Sequence, residues 1–356
     1  MSGPTRAALV LVRTRFGGAA SWPAARAGRS PRPRVPCDAV IGRSGPTLER
    51  VLDGTNRFAH ACGLNRHGER RLYAAQMKTE WGKRCQRLFA LTEGEALLAS
   101  AAQYDLTGVL DGAHVRICGI GSVATYGPRQ DHGRQLVDTL LDQAARGGAQ
   151  MGLVFSQTEV ASEAGDGRLI RFTDTTIDVA QSARHGAPMT TMRGGEPRDL
   201  AAIVAMGRVR AERFRLHFDR DVDFVQYAIT TQRLLAGLGA PNARQLQFFI
   251  AEEGITAAAY VVVSVVGDTW TLEECGDRDP SGARVGALLQ ALIAREPAAP
   301  RPSIHAQLPS GFLPPQFTVL SSRSSSDVAE VRVLDRGLSL SSLSDDDVLL
   351  WHDDLL

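Results

Sequence analysis

The sequence lacks most of the signatures that reveal a function at once. No apolar run in its 356 residues approaches the roughly 20 needed to cross a bilayer as a helix. The longest, Thr256–Val266, stops well short. No charge of one sign dominates: 40 Lys and Arg stand against 39 Asp and Glu, so nothing global favours nucleic acid or an anionic membrane surface. The five cysteines (Cys37, Cys62, Cys85, Cys118, Cys275) are odd in number and form neither a C-x-x-C nor a zinc spacing. That pattern implies reduced thiols and a cytoplasmic setting.

Acidic residues are missing from the first 37 positions, which hold seven arginines. Three readings stay open. The segment is a disordered tail or translated leader, an organellar targeting peptide, or a basic arm on nucleic acid. The last is least favoured, because only Phe16 and Trp22 are interleaved with the arginines. Residues 1–45 are therefore set aside as a disordered Arg/Pro-rich tail.

What remains has 44% apolar and 22% charged residues overall, a globular balance, and enough length for two domains. Thr47 is positioned to cap a helix carrying Leu48, Val51, Leu52, Phe58 and Cys62. A second helix is expected over 69–78. Strands follow over 96–106 and 114–125, with a hairpin signal at Asp111-Gly112 between them. In the second strand Val115 and Ile117 are in phase, while Ile120, flanked by Gly119 and Gly121, is not; such a slip suggests a β-bulge. Leu136, Val137, Leu140, Leu141, Ala144 and Ala145 then trace the clearest helical stripe in the chain. Gly147-Gly148 ends it, and a short buried strand follows over 151–155.

This order of bulged strand, glycine-bearing turn, amphipathic helix and strand resembles the coenzyme A cradle of the GNAT superfamily of N-acetyltransferases. The superfamily loop reads Arg or Gln, two residues, Gly, one residue, then Gly or Ala. Gln130 and Gly133 match its first half, and Gln135 stands where Gly or Ala is usual. The resemblance implies transfer of acetyl from acetyl-CoA, a co-substrate, to a primary amine on a small molecule or peptide, by direct attack. Ser122, Val123, Ala124 and Thr125 would pair with the pantetheine arm. Gln130, His132, Gly133, Arg134 and Gln135 would face the pyrophosphate at the helix entrance, where free amides and the positive dipole end favour an anion. Cys118 reads as a small core residue.

The catalytic acid is harder to place. Superfamily members carry Tyr two residues before an Arg on the helix after the last core strand. Here GDGRLIRF offers Asp166 at that position, ahead of Arg168. Glu159 is the weak candidate for a general base, with Glu273 and Glu274 in the second half as lesser ones. The alternative reading is a catalytically weak or inactive acyl-CoA-binding regulatory protein.

The chain also repeats itself. FALTEG at 89–94 and FIAEEG at 249–254 keep Phe, Glu and Gly in register. After the second copy, strands are expected over 256–266 and 269–274 and a helix over 283–294; two helices precede it over 198–214 and 224–235. The expected fold is α/β, with two tandem GNAT-like domains over 46–182 and 183–321, mixed sheets and flanking helices. This plan resembles the Eis-related acetyltransferases. The second copy is degenerate, since Asp279 and Pro280 fill its loop; it would shape the acceptor pocket or a contact in a homo-oligomer. Residues 322–356 read as a linker (SSRSSSD) and an acidic tail. In the tail Ser344 caps a short helix, with Val348, Trp351 and Leu355 facing the body. His352, Asp353 and Asp354 have metal-ligand chemistry without fixed geometry, so no metal is expected.

Overall fold

Two helix-flanked sheets run into one another to form a continuous surface of strands. The computed structural model describes residues 46–51, 66–126, 131–156, 167–181, 191–238, 244–295, 301–351 and 354. The first unit comprises β1 (Thr47–Val51), α1 (Arg66–Gln76), α2 (Glu80–Cys85), β2 (Gln86–Glu93), β3 (Ala96–Leu110), β4 (Ala113–Thr125), α3 (Asp131–Arg146) and β5 (Met151–Ser156). Next come β6 (Arg168–Val179) and the second unit: β7 (Thr191–Gly194), α4 (Leu200–Ala211), β8 (Leu216–Phe218), α5 (Val222–Leu238), β9 (Gln245–Glu253), β10 (Thr256–Val266), β11 (Thr269–Asp277), α6 (Ala283–Arg295) and β12 (Ser303–Ala306). β13 (Phe317–Val333) and β14 (Val348–Leu349) close the chain.

The main path through the sheet is β1-β2-β3-β4-β5-β13-β6-β12-β11-β10-β9-β7. β4–β5 and β11–β12 are parallel, as the intervening helices α3 and α6 require. The repeat is real at this level. β2-turn-β3-β4-α3-β5 and β9-turn-β10-β11-α6-β12 share one order, and Gly94 and Gly254 occupy the same turn with φ of 59° and 65°. The hairpin at Asp111-Gly112 is also as expected, with φ of 51° and 81°.

Each unit buries both faces of its sheet. In the first, Leu136, Val137, Leu140 and Leu141 of α3 pack on Cys118, Ile120, Ala99 and Ala101. The opposite face holds Tyr73, Trp81, Tyr104, Val115 and Ile117, joined by Phe224 and Tyr227 of α5. Trp81 meets Phe224 edge-on at 5.0 Å and Tyr227 at 4.5 Å, tying the units together through aromatic contact. In the second unit α6 covers one face and α4 with α5 the other.

Three sequence expectations fail. Thr47–Val51 is an edge strand paired antiparallel with β2, not a helix; cross-strand pairing such as Leu48 with Leu91 decides where local propensity does not. Ile120 is out of phase with Ile117 because both faces of β4 are buried there, and the bulge lies two residues further on. SSRSSSD is not a linker: it lies in β13, which pairs with both β5 and β6. Its serines are exposed apart from the half-buried Ser325, and residues 321–324 pair with β6.

The tail keeps its expected cap. Ser344 and Asp347 form a capping box on a single 3₁₀ turn, and Val348 and Trp351 are buried. Among the described residues no helix is long and apolar enough to cross a membrane. Cys85, Cys118 and Cys275 carry free thiols.

Candidate functional site

The first unit opens where its parallel seam ends. β4 and β5 pair from Ile117–Met151 to Ile120–Val154 and no further. Beyond that point β4 continues against β3 to Thr125, and β5 continues against β13 to Ser156. The two strands thus follow different partners and part. On β4, Ser122 and Val123 stand opposite the single residue Ala101, which is a bulge. Ser122 sits there with φ of 51°, a left-handed conformation that a serine adopts only under constraint from its surroundings. Among the described residues no strand pairs with the β5-side edge of 121–125.

The N-terminus of α3 lies over this opening. An added Cβ on Gly133 would come within 2.6 Å of Thr125 Oγ1, so the helix is packed against the end of β4 as closely as glycine permits. Gly133 therefore has a packing reason as well as a loop reason. The leucine stripe sets this placement, since Leu136 and Leu140 anchor the helix on Ile120 and Cys118. Val123 and Thr125 are half-buried, and Ala124 is buried beside them. His132 is half-buried, and its Nδ1 finds no hydrogen-bond partner among the described residues. Arg134 is half-exposed, 3.9 Å from Asp138. Gln135 is exposed, with its carbonyl accepting from Thr139 at 2.6 Å. The structure thus brings together Ser122, Val123, Ala124, Thr125, His132, Gly133 and Arg134. Gln130 and Glu159 lie outside the described residues.

Cys118 is no nucleophile. Burial pushes its thiol up to about 12, and it packs under α3. The segment taken for a catalytic helix is a strand: Arg168 opens β6, pairs with Val331 and lies 3.5 Å from Asp345. Asp166 itself lies outside the described residues. No tyrosine occurs anywhere between Tyr126 and Tyr227. Sequence reasoning passed over Tyr126. It follows β4 directly, its amide bonds Leu98, and its hydroxyl is 3.2 Å from Ser100 Oγ, one strand away from the bulge. No local pattern marked it, since its partner Ser100 lies 26 residues away.

The second unit repeats the geometry and fills it differently. The β11–β12 seam stops at Leu272–Ala306, and the bulge follows at once at Glu273. Glu273 is ion-paired with Arg244 at 3.3 Å. Glu274 holds Arg220 by two bonds of 2.8 and 2.7 Å and accepts from the Tyr260 hydroxyl. Both carboxylates are thus engaged, which speaks against either as a free base. At the entrance of α6 the anion position is taken by the chain itself. Asp277 accepts from the amides of Arg284 at 2.8 Å and Asp279 at 2.9 Å, and from the Arg284 guanidinium at 3.1 Å. Gln316 crowds the same turn, bonding the Ala283 carbonyl at 2.9 Å. The amides of Asp279 and Arg284 are thus already engaged by a carboxylate of the chain.

No protein-family model matches the sequence, and neither does any curated protein. Solved structures do match in fold. A probable N-acyltransferase from Enterococcus faecalis V583 is 10% identical, with 82% of this chain and 73% of that one covered and a TM-score of 0.57. A GCN5-related N-acetyltransferase from Kribbella flavida is 15% identical, covering 82% and 72%, also at 0.57. Eis1 from Mycobacterium abscessus is 14% identical, covering 82% and 74%, at 0.50. Identity this low speaks to architecture alone, and on that footing the chain has the GNAT/Eis-like fold, with two such units in tandem and the second one degenerate.

Proposed function

We propose that the first unit transfers an acetyl group from acetyl-CoA to a primary amine on a small molecule or peptide. The observation that carries this reading is the seam that opens after Ile120–Val154, with the bulge at Ser122 beneath the N-terminus of α3. Backbone groups of 122–125 are offered to an amide-rich pantetheine arm, as a strand edge is offered to a peptide. The amides of 132–135 and the dipole end of α3 suit a pyrophosphate, with Arg134 as the adjacent cation. An amide at the bulge would polarise the thioester carbonyl.

The amine nitrogen attacks that carbonyl carbon as its C–S bond breaks. The thiolate leaves with the electron pair, and the ammonium proton passes to water. A thiolate is a good enough leaving group that a dedicated acid is helpful rather than essential. The second reading, an acyl-CoA-binding regulator without turnover, draws on the absence of tyrosine between Tyr126 and Tyr227.

Two measurements test this. Millimolar acetyl-CoA is expected to raise the melting temperature by stabilising the native state. Thiol release across a panel of primary amines is expected to exceed the hydrolysis blank. No thermal shift would remove both readings; a shift without release would leave the regulator.

A further inference from the structure

The strand that would meet the acyl carrier is held lightly. Up to Gly121, β4 pairs residue by residue with β3, and from Ile117 to Ile120 it pairs with β5 as well. Past the bulge only Ala124 with Ser100 and Thr125 with Ala99 remain, and among the described residues the other edge has no strand beside it. The second unit is different. After its bulge β11 keeps four pairings with β10, from Glu274–Val262 to Asp277–Ala259. The first unit thus opens an edge and loses lateral support at the same place.

Two contacts of Tyr126 stand in for the missing rungs. Its amide donates to the Leu98 carbonyl at 2.8 Å, and its hydroxyl shares a 3.2 Å hydrogen bond with Ser100 Oγ. Ser100 is 0% exposed, whereas Tyr126 is half-buried. The neighbours of Ser100 on β3, Ala99 and Ala101, pack under α3, so Ser100 faces the opposite side of the sheet. Gly133 of α3 therefore presses on Thr125 from one side, and the hydroxyl pair holds β4 from the other. The bulge needs this support. Ser122, with φ of 51°, keeps its left-handed conformation only while its flanks are fixed. An edge that frays must be ordered again whenever a ligand pairs with it, and that ordering lowers affinity.

We propose that Tyr126 is a positioning residue, whose hydroxyl bond to Ser100 holds residues 122–125 extended for an acyl-CoA arm before the ligand arrives. The proposal rests on the acyl-CoA reading above. Tyr126 acts through β4 and not on the reacting atoms.

The test is calorimetric titration of the full chain with acetyl-CoA, joined to hydrogen exchange without ligand. Tyr126→Phe and Ser100→Ala should each weaken binding about fivefold, the effect of one hydrogen bond, and the double variant no more than either. The melting temperature without ligand should stay close to that of wild type. Exchange should quicken across 122–126 in Tyr126→Phe and keep its wild-type rate across 113–120. Thr176→Ala, which removes a hydroxyl 3.3 Å from His305 Nδ1 on another part of the sheet, should leave acetyl-CoA affinity unchanged. If wild type binds acetyl-CoA and folded Tyr126→Phe binds it equally well, the positioning role is overturned while the acyl-CoA reading stands. Single losses that add in the double variant, or unaltered exchange at 122–126, would do the same. No binding by wild type would remove the acyl-CoA reading and the positioning role with it.

Discussion

The β4–α3 and β11–α6 junctions share a backbone and differ in what occupies it. Both follow a parallel seam that ends at a bulge. In the first unit the bulge carries Ser122 and Val123, uncharged, and the carboxylate of the first helical turn, Asp131, is exposed. In the second the bulge carries Glu273 and Glu274, and Asp277 occupies the helix entrance. The comparison teaches that one backbone junction can leave a helix N-terminus to its surroundings or satisfy it with a carboxylate from the chain, as Asp277 does at α6.

The largest expected effect concerns the charge buried near the second bulge. Burial pushes Asp354 up to about 6 from an ordinary 3.8, against the pull of Arg220 and with Glu274 adding to the rise. Between those values the folded state holds the proton more tightly than the unfolded one. Stability from this group is thus complete below about pH 4 and lost as pH rises through 6, by about 3 kcal/mol. The difference between wild type and Asp354→Asn in urea midpoints from pH 3.5 to 7.5 should show that slope. A flat difference would mean the carboxylate is better solvated than the fold implies. No such slope is expected for a substitution at the uncharged first bulge.

Next is Asp277→Ala, expected to cost about 2 kcal/mol by leaving the amides of Asp279 and Arg284 without their acceptor. Added sulfate should then stabilise this variant more than wild type, since it would fill the vacated position. If sulfate acts equally on both, Asp277 is not standing in for an anion.

Arg134→Glu should weaken acetyl-CoA binding about tenfold, about 1.4 kcal/mol, while Arg284→Glu should not touch it. Equal losses in titrations of the two variants would erase the functional distinction between the junctions.

The smallest effect is steric. Gly133→Ala should cost about 1 kcal/mol, because the new methyl meets Thr125 Oγ1, and Thr125→Ala in the same chain should recover most of it. Additive losses in a thermal-melt cycle would show that the close packing is not the constraint.

Legibility in the sequence followed range. The α3 stripe, the Asp111-Gly112 hairpin and the repeat of FALTEG by FIAEEG all depend on neighbours a few residues apart, and all appear in the fold. The helix expected from Thr47 to Cys62 fails over Thr47–Val51, where an edge pairing with β2 outweighs the local apolar stripe; residues 52–62 lie outside the described residues. The apparent slip at Ile120 pointed to a bulge in the right strand at the wrong residue. Two-sided burial mimics a change of phase, and only the partner register with Ala101 separates the two. In the candidate site, Ser122, Thr125 and Gly133 were readable from the β4–α3 order, whereas Tyr126 was not, because its partner Ser100 lies 26 residues away.

The sequence by itself determined the repeated strand-turn-strand-strand-helix order, since glycine turns and apolar periods act through adjacent residues. Only the tertiary structure decided that β13 would lie between β5 and β6, that Asp277 would reach back to α6, and that Asp354 would end beneath Arg220. Those outcomes depend on burial and backbone bonds between distant segments, and no local pattern encodes which distant segment will arrive.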